Sequence, residues 1–138
     1  MRITACRQAH FNCAHRLHNK QWSDERNKEI YGLCNNPHYH GHNYKLIVKI
    51  NGEIDPESGY VIDMKVLADI IKKEVEDRYD HKNLNLDCPE FADVVPTAEN
   101  IAVMISNNLK PYLKKDQTMD IVLYETERNF VELNHITL

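Results

Sequence analysis

In YKLIVKING, residues 44–52, the side chains of Tyr44, Leu46, Val48 and Ile50 recur at every second position. That period marks a β-strand with one buried face, because successive side chains project to opposite sides of the pleat. Such a strand needs neighbouring strands and a covering layer over its apolar side. Residues 3–13 read as one neighbour, with Ile3, Ala5, Ala9 and Phe11 on one parity and Arg7 as the exception. Two further strands are predicted at 118–125, TMDIVLYE, and 129–133, NFVEL.

The covering layer is legible too. Asp63 is placed to cap a helix over 64–79, with an apolar stripe of Leu67, Ile70, Ile71, Val75 and Tyr79. Thr97 is placed to cap a second, with Ile101, Met104, Ile105, Leu109 and Tyr112 on its stripe. A short helix, SDERNKEIYG, is expected in the first long loop, capped by Ser23 and stopped by Gly32. The order is β-β-α-α-β-β, so the fold class is α+β. Two hairpins in a four-stranded antiparallel sheet with both helices on one face is the simplest arrangement, in a single domain over 1–138. Its two sheet edges would be unpaired, which predicts an oligomer.

Composition narrows the function. Net charge is −4 with 28% charged residues, which is not the basic footprint of a nucleic-acid binder. No apolar run reaches the ~20 residues of a membrane helix, and the N-terminal MRITACRQAHFNCAH lacks a signal-peptide block. A cytoplasmic protein is expected, with no nucleic-acid or membrane partner. The cysteines at 6, 13, 34 and 88 show no Cys-x-x-Cys spacing and are read as free thiols.

Chemistry concentrates in CNNPHYHGHNYKL, residues 34–46. In an extended segment His40 and His42 point to the same side, with Gly41 leaving the space between them open. His-x-His on a strand suits zinc, although His38 shares the parity and spacing alone does not choose two of the three. A third nitrogen is needed: His15, at the end of the first strand, falls beside His40 and His42 if the first two strands pair, with His18 and His10 as rivals. Cys34 stands among turn formers rather than in an apolar stripe, and a nearby cation would favour its thiolate. Asp80–His81 follows the first long helix, where carboxylate can orient imidazole and imidazole can exchange protons with a thiol. Glu125 continues the core row Met119, Ile121, Leu123, so a buried carboxylate there requires a partner; at a strand end it suits recognition of a flat, nitrogen-rich ring.

The ordered segments FNCAHRLHN, CNNPxxHGHNY, GEIDPESGYVIDM, DHKNLNLDCPEFADVVPTAENIA and YETERN resemble the 6-pyruvoyl-tetrahydropterin synthase family, which includes bacterial 6-carboxy-tetrahydropterin synthases. The resemblance spans nearly the whole chain. It implies a tunnelling fold (T-fold), with three subunits joined into a β-barrel and two trimers stacked as a homohexamer whose active sites lie between subunits. It implies Zn2+ on His15, His40 and His42, Cys34 as the proton-abstracting group, Asp80 and His81 as its relay, and Glu125 as the pterin anchor. Thr97 and Glu99, in PTAEN, match a segment that also lines the pterin pocket. The implied substrate is 7,8-dihydroneopterin triphosphate, and the implied products are 6-pyruvoyl-tetrahydropterin and triphosphate. The alternative is 6-carboxy-tetrahydropterin, formed with acetaldehyde and triphosphate for queuosine or related deazapurine synthesis. Two departures stand out: His38-Tyr39 replaces an Asn-Gly found in many relatives, and Ala98 a hydroxyl residue.

Overall fold

The computed structural model describes residues 1–138, and its longest ladder grows from the alternation in YKLIVKING. Strand β1, Arg2–His15, and strand β2, His40–Glu53, run antiparallel with Ala9 opposite Leu46, Phe11 opposite Tyr44 and His15 opposite His40. Tyr44, Leu46 and Val48 are fully buried, and the Phe11 and Tyr44 rings stack at 5.1 Å. Burying each such side chain contributes roughly 1.5–3 kcal/mol, which fixes the face and therefore the register.

Strand β4, Thr118–Tyr124, adds antiparallel to β2, and β5, Phe130–Ile136, to β4. Met119, Ile121 and Leu123 face the core as expected. The sheet departs from the expected four antiparallel strands. A fifth strand, β3 (Lys82–Asn83), pairs parallel to β1 at Cys13–Ala14, giving the order β3-β1-β2-β4-β5. Two residues carry no period, so nothing in the sequence announces them. Beyond that pairing β1 is an open edge over residues 2–12, and β5 is the other.

Helix α1, Asp24–Tyr31, is capped by the Ser23 hydroxyl and ends at Gly32, whose φ of 55° suits a residue without Cβ. Helix α2, Met64–Ile71, is capped by Asp63, continues through a π-helical stretch, Lys72–Glu76, and ends as α3, Asp77–Tyr79. Leu67, Ile71, Val75 and Tyr79 are all buried. A strict four-residue repeat drifts by about 40° per step on an α-helix of 3.6 residues per turn. The wider π turn takes up that drift and returns Val75 and Tyr79 to the sheet. After the short helix α4, Leu84–Asp87, helix α5, Ala98–Leu109, buries Ile101, Ile105 and Leu109.

Tyr112 does not continue that stripe. The helix tightens into a 3-10 turn at Lys110–Tyr112, and the exposed Tyr112 ring sends its hydroxyl 2.7 Å to Glu74 instead. No helix is long and apolar enough to cross a membrane.

Candidate active site

His40, His42, Tyr44 and Leu46 share one side of β2, so the face that builds the core ends in two imidazoles. The β1–β2 register brings His15 across from His40. The ligand atoms of His15, His40 and His42 all lie within 4.8 Å of one another, and the Nε2 atoms of His15 and His40 are 3.0 Å apart. The rival histidines lie elsewhere: His10 is exposed on the other parity of β1, His38 is exposed in the turn, and His18 Nδ1 meets the Asn35 amide at 2.9 Å.

His15 is buried, and its Nδ1–H donates to the Pro96 carbonyl at 2.8 Å. That bond fixes the tautomer and leaves the Nε2 lone pair facing the cluster, as metal-bound histidines are oriented. Burial, and then the neighbouring imidazoles, pull its pKa down to about 4 despite the Pro96 bond. Burial first and His42 second also lower His40. Both rings are therefore held neutral, the form that binds metal.

His40 Nδ1 and His42 Nε2 are buried with no hydrogen-bond partner. Buried nitrogens are seldom left so; a cation in the cluster would give His42 Nε2 a partner, whereas His40 faces His15 through its other nitrogen, Nε2. At zinc–nitrogen bonds of 2.0–2.1 Å, tetrahedral donors sit roughly 3.4 Å apart, so small ring rotations would bring all three onto one ion. The donor set fits a divalent metal. Glu125, just past the end of β4, places Oε1 4.0 Å from His42 Nε2. The row of core side chains in β4 thus ends on a carboxylate turned toward the histidines rather than fraying into solvent.

Thr97, the N-cap of α5, accepts from the Asn100 amide at 3.2 Å. Together with Glu99, Glu125, Leu17 and Phe130 it lines one cleft. His42 also lines a second cleft, of about 440 Å³, with Asn12, Gly41, His81 and Lys82. A Cβ on Gly41 would meet only the Cys13 carbonyl at 3.5 Å, an ordinary contact.

Asp80 binds the Asn12 amide with one oxygen and His81 Nδ1 with the other, each at 2.8 Å. The Asn12 bond first, and the His81 contact with it, hold the Asp80 carboxyl below the usual carboxylate range. His81 donates its own amide to the Asn12 carbonyl at 2.7 Å and adopts a left-handed φ of 61°. Such backbone costs of order 1–3 kcal/mol and persists only where its surroundings enforce it. His81 Nε2 is left free at the cleft. Cys34 is not among the walls of that cleft; it is half-buried on a turn tied to Leu17, whose amide donates to the Cys34 carbonyl at 2.9 Å.

The chain thus belongs to the class of α+β proteins whose sheet ends in a three-histidine centre able to hold a metal ion. The model of the family described as 6-pyruvoyl tetrahydropterin synthase matches residues 4–135. The human 6-pyruvoyl tetrahydrobiopterin synthase is 45% identical over 125 residues, covering 91% of this chain and 86% of that protein. A Rickettsia typhi 6-carboxy-5,6,7,8-tetrahydropterin synthase is 32% identical, over 68% of this chain and 81% of that one. The solved 6-pyruvoyl tetrahydropterin synthase of Caenorhabditis elegans superposes with a TM-score of 0.91 at 37% identity, covering 97% of this chain and 96% of that one. The chain belongs to the 6-pyruvoyl tetrahydropterin synthase family and has the T-fold.

Several residues of the site carried no sequence signal for the part they play. The Pro96 carbonyl that orients His15, the Asn12 backbone that holds Asp80 and His81, and the cleft walls Leu17 and Phe130 act through backbone or through position in space. Asn12, Leu17 and Pro96 lie inside segments marked by their motifs, but the motifs say nothing of these contacts.

Proposed function

We propose that the protein is a zinc-dependent lyase that converts 7,8-dihydroneopterin triphosphate to 6-pyruvoyl-tetrahydropterin with loss of triphosphate. The observation that carries this reading is the convergence of His15, His40 and His42, with the buried Nε2 of His42 unpartnered, beside the Glu125 carboxylate. Zinc held by these three would supply a Lewis acid that polarises side-chain oxygens and acidifies the adjoining C–H.

The chain's own residues do the rest. Glu125 accepts hydrogen bonds from N–H groups of the pterin ring in its cleft, with Thr97 and Glu99 on the wall, and so fixes the side chain in reach of base and metal. Cys34, as thiolate, removes the proton from carbon. His81, with Nδ1 committed to Asp80, returns or accepts protons at Nε2. Cys34 and His81 reach one substrate most simply at a junction between copies, and the open edges of β1 and β5 suit a hexamer of two trimers. A cytoplasmic location, with all four thiols free, completes the reading.

The second reading, 6-carboxy-tetrahydropterin with acetaldehyde, rests on the relatives of that name such as the one in Rickettsia typhi. Incubation with 7,8-dihydroneopterin triphosphate and mass spectrometry of the products separates the two: acetaldehyde release rejects the pyruvoyl product. Cys34→Ala should abolish turnover while leaving bound zinc and assembly intact. Unchanged turnover would overturn the assignment of the base.

A further inference from the structure

Cys34 lies on a four-residue 3-10 turn, Gly32–Asn35, that has no side-chain cap of its own. Its position is set from outside. The Leu17 amide donates to the Cys34 carbonyl at 2.9 Å, and Arg16 Nε donates to the Asn35 carbonyl at 2.9 Å. Asn35, only 4% exposed, spends both hydrogens of its side-chain amide: one on the Leu17 carbonyl at 2.8 Å and one on His18 Nδ1 at 2.9 Å. Because the amide nitrogen only donates, His18 Nδ1 must accept, which places the imidazole proton on Nε2. Arg16 is pinned on its other side by Asn85, which accepts from its amide at 2.8 Å and donates to its carbonyl at 2.9 Å.

Residues 16–18 follow His15 directly. The thiol-bearing turn is therefore registered against the strand end that carries a metal-site histidine, not against its own helix. We propose that Asn35, with His18 as its acceptor, is the positioning residue for Cys34: it holds the thiol at a fixed place relative to the His15–His40–His42 centre. This rests on the reading of Cys34 as the base. No other side chain supplies the same two donors from the same stem. Asn35→Asp removes both, and Asn35→Leu leaves the Leu17 carbonyl and the His18 nitrogen without a partner.

The test compares Asn35→Leu, His18→Leu and His18→Asn, whose side-chain oxygen replaces the Nδ1 acceptor. Four quantities are measured on the zinc-loaded assembled protein: kcat and KM for 7,8-dihydroneopterin triphosphate, zinc per chain, and the alkylation rate of Cys34 by iodoacetamide, assigned by peptide mass spectrometry. Misplacing a reacting group by about 1 Å costs up to roughly a hundredfold. We expect kcat to fall tenfold or more in Asn35→Leu and His18→Leu, with KM and zinc little changed and the alkylation rate altered. His18→Asn should recover most of both. Should Asn35→Leu fail to fold, the His18 pair carries the test alone, because His18 lies half-exposed in a loop. Wild-type kcat and alkylation in His18→Leu, in a protein that Cys34→Ala inactivates, would overturn the proposal. Full turnover in Cys34→Ala would strike instead at the base assignment on which it stands.

Discussion

His15 ties the stability of the metal-free protein to pH in a way that can be isolated. Its pKa is lowered from 6.5 to about 4, chiefly by burial. Above pH 6.5 the ring is neutral in folded and unfolded chains alike, and it adds no pH dependence. Between 6.5 and 4 the unfolded chain takes up a proton that the folded chain refuses, so stability falls as pH falls. Each tenfold in proton affinity is about 1.4 kcal/mol, so the whole gap is worth roughly 3 kcal/mol, fully lost below pH 4. The perturbation is His15→Asn, whose amide can still donate to the Pro96 carbonyl but does not titrate. Urea unfolding of chelator-treated wild type and variant, at steps from pH 7.5 to 4, gives the stability difference at each pH. Carboxylates common to both proteins cancel in that difference. The wild type's margin over the variant should shrink by roughly 3 kcal/mol across the range. A margin that stays flat would refute a buried neutral imidazole, and with it the physical argument for a ligand kept ready for metal.

Other outcomes follow from single positions. Tyr39 holds a left-handed φ of 69° immediately before His40, so Tyr39→Gly should raise stability by about 1 kcal/mol, read as a higher urea midpoint at unchanged slope. Leu46, fully buried between Ala9 on β1 and Leu123 on β4, should cost about 2–5 kcal/mol as Leu46→Ala. A loss under 1 kcal/mol would contradict the tight packing of that face. Glu125→Gln keeps the shape but loses the charge; it should raise KM for the pterin substrate about tenfold or more with zinc content unchanged. A fall in zinc would instead make Glu125 part of the metal site.

The His-x-His pair was readable because a strand's period of two is local: any extended segment puts His40 and His42 on one side. Helix starts were readable for the same reason, since Ser23, Asp63 and Thr97 each cap the helix that follows within three residues of sequence. The end of the second stripe is local as well, since Pro111 lacks the N–H that a continuing α-helix needs and the chain tightens there before Tyr112; only the Glu74 partner of the Tyr112 hydroxyl is settled by the fold. Strand β3 escaped because two residues have no period.

By itself, then, the sequence determined which side chains share a face, where helices begin and which residue types could do chemistry, all through forces between near neighbours along the chain. Only the folded chain decided that His15 is oriented by the Pro96 carbonyl, that His81 takes a left-handed backbone against Asn12, and that Asn35 moors the Cys34 turn to residues 16–18. Those outcomes depend on pairing register and on hydrogen bonds between segments distant in sequence. No local pattern records such pairings, because their energies are settled only when the core closes.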